Sequence, residues 1–343
     1  MESDMNVLAG ALICLCGGLA GAVFALPFRG IRGWKYESYW FVYALVGLIL
    51  FPVALAEFTC PSVWSVLHDA RPSMLLRCFG FGALWGLGGL TWGLMIRYLG
   101  IGLGLAIGCG LCSATGTLIP PIVTGHAGDL VKDASAVLTL AGVFVSLVGI
   151  VFVGFAGKLK ENELPEEEKK KQVAEFDFGK GMVVAVFSGI ASAGMNFGLQ
   201  GGMELESAAR QAGAGANWAG MPVLVVVLSG GFVVNAVWCL WQNAKNGSFA
   251  DYGRGIAPWA LAGSAGVIWA LQFVCQKIGE PALGSVRYIS FALVMGSCVL
   301  FSSVLGVVLG EWRGTGVRTR ISLSVGLALL ALSIAVVTVA KGL

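Results

Sequence analysis

Within otherwise apolar stretches of this 343-residue chain, a few uncharged polar and aromatic side chains recur at helical spacing. Trp85, Gly89 and Trp92 fall at i, i+4, i+7, so one helix face carries two indoles around a small gap. Trp269, Gln272, Phe273 and Gln276 repeat the idea at i, i+3, i+4, i+7, Asn196 and Gln200 lie four apart, and Asn235 stands in a separate run. Amides supply both donors and acceptors, which the hydroxyls of a neutral polyol require. The C–H faces of a sugar pack on an indole. A membrane amide also ties helices together, at roughly 0.6–2 kcal/mol, so each of these residues serves either binding or helix association. Trp34, Trp40, Trp64, Trp218, Trp241, Trp259 and Trp312, nearer the ends of apolar runs, read as interfacial anchors; Trp85 and Trp269 lie deeper than such anchoring explains.

Ionisable groups are scarce, and one that persists at bilayer depth costs at least about 2.5–3.5 kcal/mol, which marks it as a functional candidate. Glu57 lies near the end of the second apolar run, and Arg77 and Arg287 near the ends of the third and ninth. Arg97 sits at the junction of the third and fourth runs, where it also reads as a side chain snorkelling to lipid phosphate. Glu37 and Glu311 flank the second and ninth runs. No ionisable residue reads as buried in mid-helix, and Glu57, Arg97 and Arg287 are the coupling or gating candidates.

Enzyme signatures are missing: there is no P-loop, no GxSxG and no HExxH. With only His68 and His126, no metal constellation assembles by spacing. Cys109 and Cys112 have CxxC spacing but lie in an apolar run without the βαβ setting of a redox motif. No catalytic residue, metal or cofactor is expected, and the chain does not read as an enzyme.

These residues must be positioned by membrane helices. The chain is 57% hydrophobic and 12% charged, with a mean hydropathy of +0.83, far from soluble averages. Roughly twenty residues of helix span a bilayer. Ten runs of about that length occur, near 6–28, 39–59, 74–96, 100–124, 136–157, 179–200, 217–242, 256–278, 284–309 and 320–341. The acidic leader Met1-Glu2-Ser3-Asp4 argues against a cleaved signal peptide. The third and fourth runs adjoin, separated only by Arg97-Tyr98-Leu99-Gly100, and twelve glycines between Gly80 and Gly116 allow close backbone approach. This predicts a packed helical hairpin.

Of the 22 Lys and Arg residues, fifteen fall in connections after the first, third, fifth, seventh and ninth runs. Basic loops stay cytoplasmic, so both termini are expected outside and the charged loop 158–178 inside. The net charge of +3 is thus a topology signal and implies no nucleic-acid partner. The loop, with five lysines and seven acids, divides the chain into a first five-helix repeat (1–157), a linker (158–178) and a second repeat (179–343). Gly18-Leu-Ala-Gly-Ala22 parallels Gly189-Ile-Ala-Ser-Ala193, and Arg97-Tyr-Leu-Gly100 parallels Gln276-Lys-Ile-Gly279. An odd number of helices per half inverts the second copy, and such 5+5 inverted repeats place a substrate site between the halves. The expected fold is an all-α integral membrane protein of ten helices.

Several motifs carry a resemblance. Trp85-Gly86-Leu-Gly88, Gly93-Leu-Met-Ile-Arg97-Tyr98-Leu99-Gly100 and Gly116-Thr117-Leu118-Ile-Pro120 resemble the L-rhamnose–proton symporter family of the drug/metabolite transporter superfamily. So do Ser192-Ala193-Gly194-Met195, Trp269-Ala-Leu-Gln272-Phe273, Tyr288-Ile289-Ser290 and Glu311-Trp312, in order along nearly the whole chain. The resemblance implies a bacterial inner-membrane symporter that imports a 6-deoxyhexose, L-rhamnose first, with a proton or other cation. The substrate-binding expectation covers Trp85, Trp92, Asn196, Gln200, Asn235, Trp269, Gln272, Gln276 and Tyr288. Arg287 departs from it, because the family's better-known members are expected to carry an acid there. An exporter of another small metabolite on the same fold is the alternative. Anionic substrates would call for convergent Arg or Lys side chains, where this chain offers amides and indoles.

Overall fold

The computed structural model describes residues 2–123, 131–163, 177–308 and 314–339, together with Gly125, Gly128 and Trp312. Among the described residues every regular element is helical. The α-helices are α1 (Glu2–Val23), α2 (Tyr36–Leu45), α3 (Phe51–Thr59), α4 (Val63–His68), α5 (Pro72–Val123), α6 (Ala134–Glu163), α7 (Phe178–Ser192), α8 (Gly194–Gly201), α9 (Met203–Gln211), α10 (Met221–Asn246), α11 (Ala257–Gly279), α12 (Ser290–Val308) and α13 (Val317–Val339). Nine stretches among the described residues are long and apolar enough to cross a membrane. The run expected near 100–124 falls in the C-terminal part of α5, where several side chains lie outside the described residues, as do residues 164–176 of the linker.

Local sequence sets the helix limits. Pro72, Pro222 and Pro258 stand in the first turns of α5, α10 and α11, where a missing N–H costs nothing. Asp177 caps α7 by accepting from the Lys180 backbone N–H at 3.0 Å, and Gly247 (φ 62°) ends α10 in the left-handed conformation. Between α2 and α3 the helix widens into a π-helical turn (Val46–Leu50) just before Pro52, which cannot donate to a preceding carbonyl. Helix α6 continues through Glu163, six residues into the expected linker, because no helix breaker intervenes before Pro165. The Glu163 carboxylate accepts from Gly316 N and Thr319 Oγ1, each at 2.7 Å, and so ties the end of α6 to the start of α13.

Helix α5 is assigned without a break, but it cannot be straight. A Cβ placed on Gly108 would lie 2.9 Å from Met95 Sδ and 3.4 Å from Trp92 Cη2. A straight helix would separate residues 95 and 108 by about 20 Å. The chain therefore doubles back between them, in the stretch where the hairpin turn is expected, and the backbone N–H of Asp177 meets Tyr98 O there at 3.3 Å.

Glycines set the helix crossings. A Cβ on Gly47 would lie 2.6 Å from Gly266 O, one on Gly279 2.6 Å from Gly10 O, and one on Gly326 3.0 Å from Gly149 O. Gly82 and Gly230 likewise lie against the Val227 and Phe79 carbonyls across the α5–α10 crossing. Close approach of this kind replaces hydrophobic burial as the driving force in lipid. Helix α1 lies against α11 and α12, α7 lies along α5, and α6 pairs with α13. The ends of α1, α6, α10 and α12 and the starts of α2, α7 and α13 thus share one face, called the linker face because the helix ends that flank residues 164–176 lie on it. The starts of α1, α10 and α12 and the ends of α9 and α11 form the opposite face.

Candidate functional site

A cavity of about 560 Å³ lies among α1, α2, α5, α6, α10, α11 and α12. That falls within the roughly 300–1,000 Å³ typical of small-molecule sites. Its rim is made by residues near the linker face: Ala22 at the end of α1 and Phe24 just after it, Trp40 on α2, Gly157 on α6, Gly306 on α12, and Trp312. Its floor holds Trp85, Asn235, Trp269 and Gln272. Among the described residues no Asp, Glu, Lys, Arg or His side chain lines it. An ionised ligand would enter without a counter-charge, whereas a neutral polar one meets amides, hydroxyls and indoles.

Each floor residue has an identifiable support. Trp85 and Trp269 stack with centroids 5.2 Å apart and planes at 28°, and Phe273 packs edge-on to Trp269 at 4.9 Å. Such pairs add about 0.5–1.5 kcal/mol to their burial. Asn235 donates to Gly231 O at 2.8 Å and accepts from Trp40 Nε1 at 2.9 Å, so it fixes an indole at the rim. Tyr36 stacks on the other side of that indole at 5.0 Å, and Tyr43 packs against it at 4.7 Å. Trp92 lines the cavity and donates from Nε1 to Ser192 Oγ at 2.8 Å. Gln272 is 5% exposed, and its amide has no hydrogen-bond partner among the described residues. Gly21 faces this amide so closely that a Cβ there would collide with Gln272 Oε1. This amide opens onto the cavity, so whatever fills the cavity must supply its hydrogen bonds, which makes Gln272 a candidate ligand contact.

The structure thus brings Trp85, Trp92, Asn235, Trp269 and Gln272 to one cavity. It places Asn196, Gln200 and Gln276 elsewhere, toward the opposite face. Asn196 Nδ2 donates to Gly116 O, Gln276 Nε2 lies 3.4 Å from Asn196 Oδ1 and 3.3 Å from Ser290 Oγ, and Gln200 Nε2 lies 3.5 Å from Glu280 Oε1. Glu57 is exposed on α3 and does not line the cavity. The side chains of Arg97 and Tyr288 lie outside the described residues.

Two expectations change. Trp40 and Trp312 line the cavity and Trp34 is buried against Tyr252 and Trp259, so these three are not lipid-interface anchors; Trp64 and Trp241, more than half exposed, fit that role. Position near a run end could not distinguish an indole facing lipid from one facing inward. Ionisable side chains are also buried after all. Lys277 pairs with Glu280 at 2.8 Å and Glu206 at 3.2 Å, and Arg287 pairs with Glu280 at 3.0 Å and Glu206 at 3.2 Å. Glu280 is 1% exposed and Lys277 3%. Sequence alone singles out Arg287 but not Glu206, Lys277 or Glu280, because α9 and the turn Glu280–Ile289 bring these charges to the end of α11 only in three dimensions. The i, i+3 spacing of Lys277 and Glu280 was the one local signal.

Comparison with known proteins adds to this geometry. The family model for the L-rhamnose-proton symport protein (RhaT) matches residues 3–342. A protein named L-rhamnose-proton symporter from Cronobacter sakazakii is 34% identical over 328 residues, covering 93% of this chain and 94% of its own. One of the same name from Shigella flexneri is 34% identical over 320 residues, covering 91% and 92%. A third, from Salmonella dublin, is 33% identical over 327 residues, covering 93% and 94%. A match over nearly every residue, on a helical chain with a central uncharged cavity, fixes the assignment: this chain belongs to the L-rhamnose-proton symport protein family, a family of membrane transporters and not of enzymes.

Proposed function

We propose that this protein imports a 6-deoxyhexose, L-rhamnose first, by symport with a proton. The observation that carries the reading is the Gln272 amide, without a protein partner among the described residues, beside the stacked Trp85–Trp269 pair in a cavity whose described lining holds no Asp, Glu, Lys, Arg or His. Ring faces suit the C–H face and methyl of a deoxy sugar, and amides suit its hydroxyls. The names of the relatives point the same way. Trp85, Trp92, Asn235, Trp269 and Gln272 are the proposed sugar contacts, and Asn196, Gln200, Gln276 and Tyr288 the proposed polar layer beyond them. Arg97 and Arg287 are proposed for gating; the exposed position of Glu57 gives that residue no support as a coupling group.

The proposed architecture is ten helices in a 5+5 inverted repeat of drug/metabolite transporter type, with halves 1–157 and 179–343. Two observations support it. The reversal inside α5 supplies a tenth crossing. The packing is also reciprocal: α1 of the first half lies against α11 and α12 of the second, while α7 of the second lies along both limbs of α5 in the first. Basic-residue placement supports both termini outside and the linker in the cytoplasm of a bacterial inner membrane. In that orientation the cavity opens to the cytoplasm.

The test is uptake of labelled L-rhamnose into proteoliposomes with and without an inward proton gradient. Gradient-stimulated uptake is expected. No uptake under either condition would overturn the assignment.

A further inference from the structure

Among the described residues two sets of buried charges exist: Glu37 and Asp251 tie the start of α2 to the end of α10 on the linker face, beside the cavity rim, and a second set lies on the opposite side of the bundle. Rim residues come from the helix ends that share the linker face, while Glu206, Lys277, Glu280 and Arg287 cluster where α9 meets the end of α11. Three of the four belong to one corner of the chain, Lys277–Arg287; Glu206 comes from α9. Glu206 is therefore the bridging member, reaching Lys277 Nζ and Arg287 Nη2 with the same oxygen at 3.2 Å each. Counted with Glu280, the set balances two carboxylates against two cations, and Arg210, 44% exposed, adds a charge at the edge. Apolar helix packing does not require such a set, since a well-packed hydrophobic replacement is usually as stable. Its distinctive property is that it fails sharply: removing one partner leaves an uncompensated buried charge.

The neighbourhood is closed around it. The Lys277 stem lies against Gly220 at the start of α10, and Gly279 and Gly10 are in backbone contact where α1 crosses α11. Directly behind, Cys14 is fully buried, and a Cβ on Gly279 would lie 3.0 Å from its Sγ.

We infer that Glu206 and the Lys277–Glu280–Arg287 corner form a charge latch that holds this face shut while the cavity is open to the linker side, and that the latch parts at Glu206 when the opposite face opens. The inference rests on the alternating-access reading of the proposed function. Arg287 then has a concrete role: it stands where an acid was expected and holds α9 through Glu206. A site open at both ends would leak its gradient, so a closed latch opposite an open mouth is what coupled transport requires.

Cys14 is a native reporter. In a protein keeping Cys14 and carrying alanine at the other eight cysteines, the rate of modification by a charged methanethiosulfonate is measured in nanodiscs, where both faces are accessible. Glu206→Gln leaves Lys277 and Arg287 to share Glu280 alone, one positive charge in excess, and is expected to raise the Cys14 rate about tenfold or more. Adding Lys277→Met restores charge balance and should bring the rate back toward that of the parent. A parental rate in Glu206→Gln overturns the latch. So does a double variant that reacts as fast as the single one, because that result indicates loosened packing and not charge balance. Addition of L-rhamnose and the uptake assay separate the two readings. If the sugar shifts the parental Cys14 rate but Glu206→Gln does not, transport stands and the latch falls. If Glu206→Gln accelerates labelling while uptake is absent, the latch stands and the transport reading falls.

Discussion

Trp40 donates its indole N–H to Asn235 at 2.9 Å, and this single bond joins the rim of the cavity to its floor across the two halves of the chain. Asn235 is therefore an orienting residue as well as a lining one. Asn235→Ala should free the Trp40 ring and raise the KM for L-rhamnose several-fold, at about 1 kcal/mol for one buried hydrogen bond. Trp40→Phe removes the same bond, so the double variant should be little worse than either single one. Fully additive losses in uptake kinetics would refute the link.

Gln272→Ala should raise KM about tenfold, the scale of one or two hydrogen bonds to a ligand, with membrane insertion and yield unchanged. Gly21→Ala should act through the same amide, because the new methyl displaces Gln272 Oε1. Wild-type uptake in both variants would return Gln272 to a packing role.

The stacked pair Trp85–Trp269 spans the two halves as well. Trp85→Ala and Trp269→Ala should each lower thermal stability, with a coupling energy near 1 kcal/mol in a double-mutant cycle. A coupling energy of zero in melting experiments would show that the rings contribute only as separate surfaces.

Gly82 and Gly230 face backbone carbonyls across the α5–α10 crossing, where no flexible side chain can yield. Gly82→Ala or Gly230→Ala should cost roughly 1–3 kcal/mol or prevent assembly. Size-exclusion profiles and melting temperatures check this, with Gly80→Ala, which meets open space, as the silent control.

The Gly316 N–H and the Thr319 hydroxyl hold the Glu163 carboxyl below the usual glutamate range. A carboxyl with a lowered folded pKa stabilises above its unfolded pKa of about 4.3 and loses that contribution as pH falls through the folded value. The stability difference between the parent and Glu163→Ala should thus be constant near neutrality and shrink below about pH 4. Melting curves across that range test it; an unchanged difference at acid pH would mean the carboxylate charge is immaterial.

Much of the fold was legible because a bilayer imposes it. Apolar runs of about twenty residues and glycine spacing are local properties, and each reads directly as span or close packing. The same locality made Trp85/Gly89/Trp92 and Trp269/Gln272 legible as one-face constellations. What the sequence could not decide is which faces converge. Gln272 and Gln276 lie one turn apart, yet one lines the cavity and the other is enclosed near Ser290. Trp40 and Trp241 both sit near helix ends, yet one faces inward and the other outward. Arg287 was legible as a candidate, but its partners Glu206 and Glu280 were not, because they meet it only through the packing of α9 at the end of α11. Helical periodicity fixes a residue's angle about its own axis. Rotation of that axis against its neighbours is set by packing among distant segments, and only the tertiary structure decides it.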